Sequence, residues 1–248
     1  GISILIDGIP LDLNKVDKIE KFKRKLDMKN GLYERSISIN TNNNLKVEID
    51  SKRFLSMKRK HIGAISYNIK CSRDVKITLS PYIDFDVSND DSNWEEKFWE
   101  TTEKINTLNK SLVKSKVKKT GFKVITYMKA DLYDNNVKLE KPFVAKSDSK
   151  KILLESKHKL NKGNTLKLVK FGGYVTSECN EWNKIENKAN EILNFLENTS
   201  FESLYQEHKL EWAKIWEQSD IKISGDNKSQ QAIRFNIFQL NQTYRGDD

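Results

Sequence analysis

Cysteine, histidine and long apolar runs are all scarce in this sequence, and each scarcity removes a class of protein. Of 248 residues two are cysteine, Cys71 and Cys179. They lie far apart and neither belongs to a Cys-x-x-Cys, so nothing suggests a disulfide framework or a redox motif. Two reduced thiols are expected. Three scattered histidines offer no zinc-ligand spacing. No window approaches the roughly 18 apolar residues that a membrane helix needs. The opening Gly1-Ile2-Ser3-Ile4-Leu5-Ile6 is too short for a signal peptide and has no basic lead. A cytoplasmic protein is expected.

What is present suits a globular chain. Apolar residues make up 37% and charged residues 32%, a balance unlike that of disordered proteins. The length allows one large domain, or one domain with an appendage. The net charge of +9 raises nucleic acid as a partner, but the lysines are spread along the chain and no recognition motif accompanies them. In the densest run, Lys114-Ser115-Lys116-Val117-Lys118-Lys119, alternation puts Lys114, Lys116 and Lys118 on one strand face. A solvated face that blocks edge pairing accounts for that run. Neither nucleic acid nor a membrane is expected as partner.

The first ~175 residues alternate with period two, the signature of half-buried strands. Ile2, Ile4 and Ile6 alternate before the Asp7-Gly8 turn, and Leu11 and Leu13 resume the pattern. Leu26 and Met28 precede Asn30-Gly31, a strong hairpin signal, and Tyr33, Arg35, Ile37 and Ile39 return from it. Alternation recurs through Val47, Ile69, Ile77, Thr126, Leu154 and Leu168. Turn signals every 8–15 residues or so fit a large antiparallel sandwich of two stacked sheets. Between strands, Trp94, Phe98 and Trp99 follow Asp90-Asp91-Ser92-Asn93, as a short helical turn or an aromatic loop. Trp94 and Trp99 are read first as packing residues, and second as sugar-stacking platforms.

After Gly172-Gly173 the period changes. Ile185, Ala189, Ile192, Leu193 and Leu196 form the apolar stripe of an amphipathic helix. Ser200 and Ser203 offer a new helix start, followed by the stripe Phe201, Leu204, Tyr205, His208, Trp212, Ile215 and Trp216. His208 lies on that stripe and reads as a packed residue with one hydrogen-bond partner, since no nucleophile or carboxylate motif accompanies it. Asp220–Ser224 is an extended link, and Asp226 or Asn227 caps a third helix. That helix carries Ala232, Ile233, Phe235, Ile237, Phe238, Leu240 and Tyr244 around most of its circumference, and so expects burial on several sides. Little sequence remains to bury it, and both chain ends read as cut.

His208-x-x-x-Trp212-x-x-x-Trp216 resembles a helix of glycoside hydrolase family 65. Gly225-Asp226 and the run Gln230–Leu240 are similar to the entry helix of that family's barrel. Leu26–Leu32 with Arg35, and Arg53-Phe54-Leu55-Ser56-Met57, resemble its N-terminal sandwich. The ending Gln242–Asp248 is similar to the maltose phosphorylase branch. The resemblance implies a mainly β fold: a large antiparallel super-β-sandwich of galactose mutarotase type over 1–178, lacking its earliest strands, a helical linker over 179–225, and the first helix of an (α/α)6 barrel over 226–248.

For the parent enzyme the resemblance implies inverting phosphorolysis. Maltose or a related α-glucoside and inorganic phosphate would give β-glucose 1-phosphate and free sugar, without organic cofactor or metal. The general-acid glutamate and the phosphate-binding residues are expected after Asp248. No position here matches either motif, so no catalytic, substrate-binding or metal residue is assigned. A homodimeric parent is implied. A fragment of a family hydrolase, and a stand-alone carbohydrate-binding sandwich with Trp94, Trp99 and Trp182 as platform, are the alternatives.

Overall fold

The computed structural model describes residues 1–88, 96–176 and 182–244. Ten strands come first in the described chain: β1 (Ile2–Ile6), β2 (Ile9–Pro10), β3 (Lys18–Asp27), β4 (Leu32–Asn40), β5 (Lys46–Leu55), β6 (Gly63–Cys71), β7 (Val75–Asp84), β8 (Trp99–Asn106), β9 (Lys110–Val117) and β10 (Lys123–Asp134). After them come β11 (Val137–Lys138), β12 (Val144–Ser147), β13 (Lys151–Leu160) and β14 (Leu166–Thr176), then helices α1 (Trp182–Glu197), α2 (Phe201–Ser219) and α3 (Asn227–Thr243).

Two antiparallel sheets stack as the period-two pattern requires. The smaller runs β12-β13-β7-β1-β2; the larger runs β3-β4-β5-β6-β14-β10-β9-β8 with β11 paired to β10. Alternation gives each strand of the larger sheet two faces. One face supplies Ile37, Val47, Ile69, Val113, Met128 and Leu168 to a core shared with Ile4, Ile77 and Leu154 of the smaller sheet. The other supplies Phe54, Ala64, Ile125, Val169 and Phe171 to a second core beneath α1 and α2. The molecule therefore has three layers, and the central strands are covered on both sides.

The helices follow their sequence signals. Ile185, Ala189, Ile192, Leu193 and Leu196 of α1 are all buried. Ser200 caps α2: its Oγ accepts from Ser203 N–H at 2.9 Å while Ser203 Oγ accepts from Ser200 N–H at 3.1 Å, a serine version of the capping box. Asp226 caps α3 through Lys228 N–H and Ser229 N–H.

Several local expectations are corrected. Leu11 and Leu13 are not in a strand; with Val16 they pack on the inter-sheet core from an irregular segment that leaves β2 after a last backbone bond, Leu11 N–H to Ile4 O at 3.0 Å. β3 escapes period-two reading because it is a largely exposed edge strand with charges on both faces. Trp99 opens β8 instead of sitting in a helical turn, and Trp94 lies outside the described residues. The lysine run does not guard an edge, since β9 is paired on both sides by β10 and β8. Lys114 is largely buried and held between Glu103 of β8 at 2.6 Å and Glu186 of α1 at 2.7 Å. Lys116 pairs with Glu100, while Lys118 lies past the strand end, its N–H donating to Phe98 O. Gly172 and Gly173 do not end the strands: β14 continues to Thr176, and a side chain at Gly173 would collide with His61 O.

Cys71 is a free thiol, buried in the inter-sheet core; Cys179 lies outside the described residues. Burial, with the Asp7 carboxylate adding to it, pushes the Cys71 thiol up to about 11, so almost no thiolate is present near pH 8. In a Cys179→Ser variant, Cys71 is expected to resist maleimide at pH 8 until the protein unfolds. Fast labelling of the folded protein would contradict this burial.

Candidate functional site: the junction of hairpin and helices

The side chains picked out by spacing on α2 converge on one small region of the sandwich. Asp27 and Leu32 pair at the end of the β3–β4 hairpin, leaving a four-residue loop, 28–31. The Asp27 carboxylate organises it by accepting from Asn30 N–H at 3.2 Å and Asn30 Nδ2 at 2.8 Å. Gly31 takes a left-handed φ of 61°. The loop thereby points two backbone carbonyls, Met28 O and Gly31 O, at α2.

α2 meets them from two positions about two turns apart. His208 Nδ1 accepts from Met57 N–H at 3.0 Å, so the ring proton sits on Nε2, which donates to Gly31 O at 3.1 Å. Trp216 Nε1 donates to Met28 O at 3.2 Å. Residues 208, 212 and 216 lie four apart and therefore share one helix face. His208 is 1% exposed, as a packed residue should be, but it has two backbone partners where one was expected. Trp212 sits between them, fully buried, with no hydrogen-bond partner for its Nε1 among the described residues. A side chain at Gly31 would overlap both Trp212 Nε1 and His208 Nε2.

Aromatic packing extends the contact in both directions. Phe54 of β5 lies 4.6 Å from the His208 ring and 5.3 Å from Phe201, centroid to centroid. Trp212 stacks on Phe238 of α3 at 4.8 Å, with an interplanar angle of 19°. Such pairs contribute about 0.5–1.5 kcal/mol each beyond area burial. Arg59, from the β5–β6 loop, grips Glu207 through two hydrogen bonds at 2.8 and 3.0 Å and lies over Phe195. Arg234 of α3 makes a second fork with Asp220 at 2.8 Å on both arms, which holds the Asp220 carboxyl below its usual range. The sandwich hairpin, α2 and α3 are thus locked in series. Phe238 and Ile237 are buried by this docking, whereas Phe235, Leu240 and Tyr244 remain exposed at 42%, 69% and 72%.

Trp99 and Trp182 do not come together. Lys123 of β10 lies over the Trp182 ring at 5.1 Å and pairs across the sheet with Lys116, which in turn pairs with Glu100. Trp99, one residue before Glu100 on β8, faces the opposite side of the sheet. Trp99 and Trp182 therefore cannot share one ligand face, and Trp94 lies outside the described residues. No group of three or more metal-ligating side chains occurs among the described residues. No helix among them is long and apolar enough to cross a membrane. Sequence reading missed the Met28 and Gly31 carbonyls, Arg59–Glu207 and Asp220–Arg234. The Asn30-Gly31 turn signal marked the loop, but nothing local pointed to its partner.

A two-layer β-sandwich continued by helices docked on one hairpin is the class that fold and junction define. Comparison narrows it: residues 1–215 match the N-terminal domain of glycosyl hydrolase family 65. The chain belongs to that family. It is 33% identical to maltose phosphorylase of Bacillus subtilis (strain 168) over 250 aligned positions, covering 100% of this chain and 32% of that protein. It is 30% identical to α,α-trehalose phosphorylase of Thermoanaerobacter brockii, covering 99% of this chain and 32% of that protein. A solved structure titled putative kojibiose phosphorylase from human microbiome superposes with a TM-score of 0.87 at 24% identity, over 100% of this chain and 31% of that one. This chain spans about a third of the length of these relatives.

Gly31→Ala is expected to destabilise the protein by about 2–4 kcal/mol, from left-handed strain plus overlap with Trp212 and His208. Gly31→Asn, which tolerates that backbone, is expected to do no better, because the overlap remains. Urea midpoints for both variants check this; a near-neutral Asn variant would remove the steric argument.

Proposed function

We propose that this chain is the non-catalytic N-terminal part of a glycoside phosphorylase whose substrate is maltose or a related α-glucoside. The phosphorylase names of the two curated relatives support the reaction class. The observation that carries the scaffold role is the junction, where sandwich, α2 and α3 are fixed in series while Phe235 and Leu240 of α3 stay open for a further layer. On this reading 1–178 is the sandwich, 179–225 the linker and 226–248 the opening of an (α/α)6 barrel. The barrel supplies the glutamic acid and the phosphate site, and the parent is a cytoplasmic homodimer.

The chemistry of such a parent follows from its nucleophile. An inverting hydrolase needs one carboxylic acid for the leaving oxygen and one carboxylate to activate water. Phosphate is already anionic, so it needs binding and orientation instead of a base. A carboxylic acid protonates the glycosidic oxygen while phosphate attacks the anomeric carbon from the opposite face, giving β-glucose 1-phosphate. No step requires a metal or an organic cofactor. None of these roles is assigned to a residue among 1–248.

Two measurements test the reading. The isolated chain is expected to form no glucose 1-phosphate from maltose and phosphate; turnover by the pure chain would overturn the scaffold role. Tryptophan fluorescence is expected to show no saturable change with maltose up to millimolar levels, because Trp99 and Trp182 face opposite ways. A saturating change would favour a stand-alone sugar-binding module.

A further inference from the structure

Only one asparagine in the chain, Asn30, is followed by glycine. That pair is chemically distinctive. A glycine puts no side chain beside its backbone nitrogen, so nothing hinders that nitrogen from reaching the side-chain amide of the residue before it. The fold places the pair in the loop where the sandwich meets α2.

Three features of the loop bear on this chemistry. Asn30 is half-buried in the turn 28–31, outside the ladder that ends at Asp27 and Leu32. Its side-chain amide is turned back on the loop, with Nδ2 donating to Asp27 Oδ2 at 2.8 Å. Gly31 N–H makes no hydrogen bond to any described residue, whereas Gly121, in the turn after β9, donates to Val117 O at 2.9 Å. The Gly31 nitrogen is therefore not committed to another partner.

The comparable pair elsewhere is guarded. Asp7 precedes Gly8, and ring closure there needs a protonated carboxyl. Asp7 Oδ1 accepts from Lys76 N–H at 2.8 Å and Oδ2 from Arg73 at 3.0 Å, which hold that carboxyl below its usual range and keep it ionised.

We propose that Asn30 is a site of spontaneous covalent modification that acts on the junction of hairpin and helices. Gly31 N bonds to Asn30 Cγ, the Cγ–Nδ2 bond breaks, and the proton from Gly31 N leaves with the amide nitrogen as ammonia. The resulting succinimide ring takes up one water. Opening at one carbonyl gives aspartate at position 30; opening at the other gives isoaspartate, whose main chain runs through the side-chain methylene. No oxidant, reductant or cofactor enters.

Both products act on the same contact. The new carboxylate faces Asp27 where an N–H donor stood, so a hydrogen bond becomes a like-charge opposition. Isoaspartate also adds one main-chain carbon between Met28 O and Gly31 O. Those carbonyls accept from Trp216 Nε1 and His208 Nε2, and His208 is closed off from water that could replace its partner. The inference concerns this hairpin alone and does not depend on the catalytic reading.

The test holds the 248-residue chain folded at pH 8, with a second sample unfolded in guanidinium, and follows peptide maps over days. Asn30 is expected to convert ahead of every other asparagine in the folded sample. Isoaspartate among the products is read by methyl transfer from S-adenosylmethionine with an isoaspartyl methyltransferase. The modified fraction is expected to unfold at lower urea than the unmodified one, and Asn30→Asp to reproduce part of that loss. Asn30→Gln, whose longer side chain cyclises far more slowly, is expected to stay intact. Conversion confined to the unfolded sample, or another asparagine leading in the folded one, would overturn the site. An Asn30→Asp chain with the parent's urea midpoint would overturn its action on the junction.

Discussion

The fold depends on one set of hydrogen bonds: those by which His208 and Trp216 engage the open carbonyls of the 28–31 loop. A helix can slide along an apolar sheet at little cost, because hydrophobic contact is not directional. Hydrogen bonds to Gly31 O, Met57 N–H and Met28 O remove that freedom. Their worth is set by burial. With His208 closed off from water, loss of the ring would leave a buried N–H and a buried C=O unsatisfied, which is more costly than the bonds themselves are stabilising. The aromatic stack from Phe54 to Phe238 then adds attraction to a position already defined.

The same constraint explains the order of the layers. The larger sheet has one face for the smaller sheet and one for the helices, and its central strands β10 and β14 supply apolar residues to both cores. Where the covering layers fall short, at β3, the residues turn polar or charged. Side-chain character thus tracks coverage strand by strand. On β10 the exception is the buried ion pair of Lys129 and Asp131; on β9 it is Lys114. Lys114 lies under α1 because Glu103 and Glu186 come with the two elements that bury it.

Much of this was legible in the residues. Period-two alternation located the strands whose one face is buried, and the 3.6-residue stripes of α1 and α2 matched their buried faces. Ser200 and Asp226 stood out as caps because helix N-termini leave unsatisfied N–H groups. Of β3 only the end at Leu26, before the hairpin turn, was read, because the rest is an exposed edge strand with charges on both faces. β8 was lost because its alternate residues are mostly charged and pair across to β9. The lysine run was placed on the wrong kind of strand, since its acidic partners come from β8 and α1. The junction was legible only in halves: the hairpin signal at Asn30-Gly31 and the stripe at His208. Their meeting is a tertiary fact.

The span of that meeting governs when the layers close. His208 and Gly31 are 177 positions apart, so the loop joining them contains most of the sandwich. During synthesis β3 to β6 leave the ribosome long before α2 exists to cover Phe54 and Ala64. For that interval the sheet presents an oily surface with no lid. Contacts of such long range slow folding and prolong exposure to aggregation. The nascent chain is most vulnerable while its last third is still unmade, and chaperone demand should fall once the histidine helix emerges.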